Sequence, residues 1–443
     1  MSYIPHTKED KESMLKAIGV QKIEDLFGDI KPALRPRSFN IPEGISEFEV
    51  REHFKRLASK NAAGLTNFIG AGFYDHYIPA AVDALASRPE FYTAYTPYQA
   101  ECSQGWLQAI FEYQTAICEL TALDASNASL YDGGTALYEA VMMAIRITGR
   151  RKVILDSGVN LLYRSMLYAY TSNLSIEFIE TPVVHGQSAR EEIYKYLDDK
   201  TAAVITQNPN FFGAVDDHSD IVKKVHQFGA LAIQSVYPVS LGLLKPPGAI
   251  GVDIATGEGQ SLGIPLSFGG PYLGFMACKK EYIRKMPGRI VGETTDTDGK
   301  RGFVLTLQAR EQHIRRQKAT SNICSNEALC ALRAIIYLSL IGKTGLKELA
   351  SINHSKAEFA KSVFEKIPGV KVKRSSPTFN EFTVLLPKKA DEIMKKVIDK
   401  GFAPGFPLGK FYKGMDNYLL IAVTEIKTKE EIVKFAETLE AAL

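Results

Sequence analysis

Between residues 152 and 255 short apolar stretches recur at regular intervals: KVILD (152–156), SIEFI (175–179), AAVIT (202–206), LAIQ (231–234) and VDIA (252–255). Helical patterns at 189–197 and 218–228 separate several of them. Strands that are apolar on both faces and alternate with helices pair in parallel, because each right-handed crossover lays a helix over a face of the sheet. The expected fold class is therefore α/β, a mostly parallel sheet covered on both sides, with ligands collecting at the carboxyl ends of its strands.

The flanks of this region read differently. Residues 1–63 alternate short helical patterns with connectors at Pro32 and Pro36, a texture that builds no core of its own, so they are expected to form an amino-terminal wrapping segment. Residues 64–323 make the large α/β domain, and 324–443 a small α+β domain. The small domain should hold an apolar helix from 328 and a second helix opened by a capping box at Ser355 and Glu358. Strand 381–386, helix 390–400 closed by Gly401, strand 418–423 and a last helix opened by Thr428 and Glu431 follow. The apolar run 328–341 is too short to cross a bilayer and carries Arg333, so it reads as a buried helix.

Composition narrows the function classes. The chain has 443 residues, with 53 Lys+Arg against 50 Asp+Glu, a net +3 that gives no electrostatic case for nucleic acid or an anionic membrane as partner. Its 5 cysteines include no C-x-x-C pair, and the first twenty residues contain no apolar leader, which together point to a reducing, cytoplasmic setting. Cys324 and Cys330 are expected to be inert buried thiols rather than a redox switch. The 8 histidines are scattered singly, without metal-ligand spacing, so no metal site is expected.

One catalytic motif matches formally. Residues 259–263 (GQSLG) fit G-x-S-x-G, the nucleophile elbow, and would make the chain an α/β serine hydrolase acting through Ser261. An elbow must run straight into a helix, and Pro265 followed by SFGGP (267–271) cannot continue one, so the stretch reads as a glycine-rich loop between two strands. Four other segments are denser in chemistry: 95–105, 131–136 (YDGGTA), 267–274 and 310–324. Tyr and Thr set among Gly and Pro present hydroxyls from a fixed backbone, which suits recognition of an oxyanion or phosphate. The basic run 310–318 reads, on charge alone, equally well as a solvated helix face.

Three of these stretches, YTPYQAECSQG (95–105), PLSFGGPYLGF (265–275) and REQHIRRQKATSNIC (310–324), occur in the order and spacing of a known family. With YIPHT (3–7) and QNPNFFG (207–213), they resemble the glycine decarboxylases, the P-proteins of the glycine cleavage system. Within that family the likeness is to the separate amino-terminal half, subunit 1 or α. The resemblance implies fold type I of the pyridoxal phosphate enzymes, the aspartate-aminotransferase type. It implies that glycine is decarboxylated and its aminomethyl group passed to a lipoyl H-protein. It also implies a β subunit that carries pyridoxal 5'-phosphate (PLP), with two such pairs forming an α2β2 assembly.

By the same resemblance Gln260 stands where the imine-forming lysine belongs, and QSVY (234–237) offers no acid for the pyridinium nitrogen. No catalytic residue is then expected on this chain, and the isolated chain should be inactive. Lys245 precedes two prolines and Lys279 reads as the start of a surface helix, which argues against a self-sufficient PLP transferase. Loop 318–322 is similar to one that reaches a neighbour's cofactor phosphate in related homodimers. That assigns Thr320 and Ser321 to phosphate contact in trans, and Tyr95, Thr96 and Tyr98 to the entrance for glycine and the lipoyl arm.

Overall fold

The computed structural model describes residues 5–36, 38–92, 94–184, 186–267, 269–323 and 325–443. Contacts divide the chain after Ala63. In the first unit, helix Lys8–Ile18 opens with a capping box between Thr7 and Asp10, and helix Glu47–Ala58 with one between Ser46 and Glu49. Neither helix buries a residue, and Ile18, Phe48 and Phe54 stay exposed.

The second unit is built on a seven-stranded sheet. Its strands in chain order are β1 (Ala125–Ser126), β2 (Lys152–Asp156), β3 (Glu177–Thr181), β4 (Thr201–Asn208), β5 (Leu231–Val236), β6 (Ile254–Glu258) and β7 (Gly274–Cys278). They lie in the order β1-β7-β6-β5-β4-β2-β3. All neighbours from β6 to β3 pair in parallel, while β7 runs antiparallel to both β6 and β1. Alternate residues feed two cores, as the strand period requires. Val153, Leu155, Ala203, Ile205 and Ile233 pack under helix α1 (Gly133–Thr148) through Leu137, Val141 and Ala144. Ile154, Val204 and Ala232 face the other way, onto Ile193, Ile221 and Val225.

The carboxy-terminal layer is a four-stranded antiparallel sheet with Glu381–Leu385 and Tyr418–Ala422 at its centre. Helices Ala390–Ile398 and Lys429–Ala442 cover it, the latter opened by the Thr428 capping box. The chain enters this layer earlier than residue 324: Thr66–Asn67 pairs in parallel with Phe402–Ala403, and Phe68 stacks on Phe435 with ring centroids 4.3 Å apart.

Two helix expectations need correction. Ser355 opens no helix; it lies inside α2 (Ala328–Phe364), whose break is at Gly342, with φ 59° and ψ −175°. The acid of the expected box, Glu358, is taken instead by Lys361 and by Arg374 at 3.1 Å. The basic run forms no helix face, only single turns at Gln308–Arg310, Gln312–Arg315 and Arg316–Lys318. Residues 328–341 do bury one face, through Cys330, Ala331, Ala334 and Tyr337, while Arg333 pairs with Asp83 at 2.6 Å.

Candidate functional site

The carboxyl ends of β2, β4, β5 and β6 open on a cleft bounded by Asn160, Gln207, Tyr237 and Glu258, and closed from the carboxy-terminal layer by Glu381. It lies where a covered parallel sheet holds its ligand. The free volume left in it is only about 30 Å³, room for about one water.

Side chains that bond one another wall it in. Gln260, 2% exposed, accepts from the Tyr74 N–H at 3.0 Å and donates to the carbonyls of Tyr74 at 3.1 Å and Ile264 at 2.8 Å. Tyr74 in turn donates its hydroxyl to Glu381 at 2.8 Å, and Glu381 also accepts the Ala71 N–H at 2.7 Å. Burial pushes the Glu381 carboxyl up to about 7, against those two donors. Gly213, at φ 86°, is what lets the neighbouring loop pass Glu381: a Cβ there would lie 2.0 Å from the Glu381 carbonyl oxygen.

Glu258, the last residue of β6, accepts from the backbone N–H of Gly133 at 2.9 Å, Gln260 at 2.9 Å and Leu273 at 3.0 Å. Burial pushes its carboxyl to about 7 as well. Within β5, Gln234 turns to His218 Nδ1 at 2.9 Å, whose Nε2 lies 3.2 Å from Ser188 Oγ, and Ser188 donates to Asp156. On the far side, Glu425 holds His76 at 2.8 Å, and His76 bonds the Tyr237 hydroxyl.

PLP does not fit this cleft. A bound cofactor of this kind needs an amine for its aldehyde, an acid at its ring nitrogen and a free anion seat. Here the first position is a hydrogen-bonded carboxamide, the second is a glutamine bonded to histidine, and the α1 amino terminus is already occupied by Glu258. The hydrolase alternative has no support either: Ser261 is buried, no histidine bonds it among the described residues, and its loop joins β6 to β7 without entering a helix. Lys279 is paired with Asp253.

The chemistry-bearing segments sort into two groups. Residues 131–136 and 269–274 lie against each other and reach the cleft through Glu258, which accepts the Gly133 and Leu273 N–H groups: Leu130 bridges to Gly274, where a Cβ would stand 2.2 Å from the Asp132 carbonyl oxygen, and Tyr272 packs on Phe73 at 4.6 Å. Residues 95–105 and 310–323 come together elsewhere. The Tyr98 ring meets His313 edge-on at 5.3 Å, its hydroxyl accepts from Arg289 at 3.0 Å, and the Thr320 N–H bonds the Arg310 carbonyl at 3.0 Å. Tyr95 is 85% exposed, Thr96 is half-buried, and none of Tyr95, Thr96, Tyr98 and Thr320 lines the cleft.

Thr320 is half-buried, and its hydroxyl has no partner among the described residues. Ser321, expected to face a neighbour, instead turns inward and donates to Glu139 on α1 at 2.6 Å while accepting from the Ile323 N–H at 3.0 Å. Cys330 is buried, and its thiol is pushed up to about 12, which leaves it unreactive. Cys324 lies outside the described residues. Sequence reasoning missed Glu258, Glu381, Tyr74 and the His76–Glu425 pair. Only Glu258 carried a signal, a carboxylate ending an otherwise apolar strand two residues before Gln260.

A family model described as "Glycine cleavage system P-protein" matches residues 1–439. A probable glycine dehydrogenase (decarboxylating) subunit 1 from Geotalea uraniireducens is 58% identical over 443 residues, covering 100% of both chains. The one from Nitratidesulfovibrio vulgaris, strain Hildenborough, is 53% identical, again over the whole of both. Among solved structures, glycine decarboxylase (P-protein) of the glycine cleavage system, in inhibitor-bound form, superposes with a TM-score of 0.93 at 43% identity, covering 100% of each chain. Lactobacillus brevis glutamate decarboxylase, at 14% identity and a TM-score of 0.66 over 92% of this chain and 94% of its own, shares the fold.

Proposed function

The chain belongs to the P-protein family of the glycine cleavage system, as subunit 1 of glycine dehydrogenase (decarboxylating), and from that membership we propose how half of such an enzyme works without a cofactor of its own. Its fold is fold type I of the PLP-dependent enzymes. PLP resides on the partner, a β subunit, and this chain completes the site from outside. The observation that carries this reading is the closure of its own cleft: Gln260 is bonded to Tyr74 and Ile264, and about 30 Å³ remains.

What the chain contributes is a shaped surface. Thr320 has a hydroxyl free to donate to the partner's cofactor phosphate, and Ser321 anchors that loop to α1 through Glu139. A hydroxyl donating to a dianion makes a strong, charge-assisted hydrogen bond. Tyr95, Thr96 and Tyr98, brought beside the 310–318 turns by the Tyr98–His313 contact, border the route for glycine and for the lipoyl arm of the H-protein. The exposed apolar side chains of the amino-terminal unit, Phe39, Ile41, Phe48 and Phe54, are assigned to a subunit contact in an α2β2 assembly. The free thiols of Cys102, Cys118, Cys278 and Cys330 accord with a cytoplasmic setting.

Thr320→Ala in the assembled complex tests the reading. The variant should assemble normally and lose PLP on dialysis roughly 10- to 100-fold more readily, the loss of about one charge-assisted hydrogen bond. Unchanged cofactor retention would remove Thr320 from the site.

A further inference from the structure

We infer that the Glu258 carboxyl group fills the anion seat at the start of α1, so that the cleft is closed from within and is not merely short of its lysine. The inference rests on the proposal that the cofactor sits on the partner. Helix α1 begins at Gly133, and the N–H groups of its first turn, with the positive end of the helix dipole, face the carboxyl ends of the strands. A helix start in that place takes an anion.

The anion there belongs to the chain. Glu258 Oε2 accepts the Gly133 N–H at 2.9 Å, and Oε1 accepts those of Gln260 and Leu273 at 2.9 and 3.0 Å. Asp132 takes another donor of the turn, the Thr135 N–H, at 2.7 Å. Glu258 is 5% exposed, and the Tyr163 hydroxyl crowds the same turn, 2.4 Å from where a Cβ on Gly133 would stand. A phosphate ester and this carboxylate exclude each other. Segment 131–136, whose composition suits an oxyanion, is thus an anion site whose ligand is residue 258 of the same polypeptide.

Removing the carboxylate should leave a seat that a free anion can fill. In chloride buffer Glu258→Ala is expected to unfold a few degrees below the unaltered chain, and inorganic phosphate at matched pH and ionic strength should restore most of that loss. The unaltered chain should gain nothing from phosphate. Glu258→Gln should be destabilised without rescue, because its amide still fills the space. A Glu258→Ala chain that is indifferent to phosphate, or that folds in neither buffer, overturns the assignment, as does an unaltered chain that phosphate stabilises.

A second arm uses PLP and borohydride reduction. Gln260→Lys alone should carry no pyridoxyl group on residue 260. Pyridoxyl at that position overturns the inference. Pyridoxyl on a lysine of the unaltered chain instead overturns the proposal beneath it and leaves the phosphate result standing.

Discussion

Truncating Gln260 to alanine isolates what this residue does in place of chemistry. The carboxamide joins two segments far apart in sequence, accepting from the Tyr74 N–H and donating to the carbonyls of Tyr74 and Ile264, at 2.8–3.1 Å and 2% exposure. Alanine leaves one buried N–H and two buried carbonyls without these partners. At about 1 kcal/mol net for each hydrogen bond, and more for the stranded donor, the loss comes to about 3–5 kcal/mol. The loss should fall locally first, since the Tyr74 amide depends on this acceptor. Denaturant midpoints of Gln260→Ala against the unaltered chain, with hydrogen exchange at the Tyr74 amide, read both effects. A Gln260→Ala chain within about 1 kcal/mol of the original, with the Tyr74 amide still protected, would refute the view that residue 260 holds the cleft shut.

Other perturbations give equally specific outcomes. Glu381 binds its proton more tightly folded than unfolded, so it favours the fold at low pH, and that contribution drains away as pH rises from about 4.5 to about 7; the difference amounts to about 3 kcal/mol above pH 7. Glu381→Gln should therefore flatten the pH dependence of the denaturant midpoint across that window, and an unaltered slope would contradict the buried-acid assignment. Ser321→Ala, which removes the 2.6 Å donor to buried Glu139, should cost about 1–2 kcal/mol, whereas Thr320→Ala in the isolated chain should stay within about 0.5 kcal/mol; equal effects in the same denaturation assay would contradict the division of roles in that loop. Gly213→Ala combines φ 86° with a Cβ 2.0 Å from the Glu381 carbonyl oxygen and should cost about 3 kcal/mol or more, read as a lowered thermal midpoint or loss of soluble protein.

The apolar rhythm of residues 152–255 was a dependable guide to the sheet because strands buried on both faces have nothing polar to blur their limits. Residues 152–156 coincide with β2, and 231–234 fall inside β5. The helix break was misread for the opposite reason: the Ser355 box is a local signal, and its acid was taken by Lys361 three residues on in the same helix and by the tertiary partner Arg374, while Gly342 provided the turn. In the cleft, Gln260 and Gln234 were legible because a missing amine or acid is a property of residue type. What seals the cleft was not, since Glu258 meeting Gly133 and Glu381 meeting Tyr74 are contacts between residues more than a hundred positions apart. No spacing rule joins such pairs before the sheet and the carboxy-terminal layer bring them together.

Borohydride reduction of the purified complex of this chain with its partner subunit, followed by peptide mapping, tests the central claim most directly. The account predicts a pyridoxyl group on a lysine of the partner and none on any lysine of this chain. A pyridoxyl lysine found on this chain would contradict it.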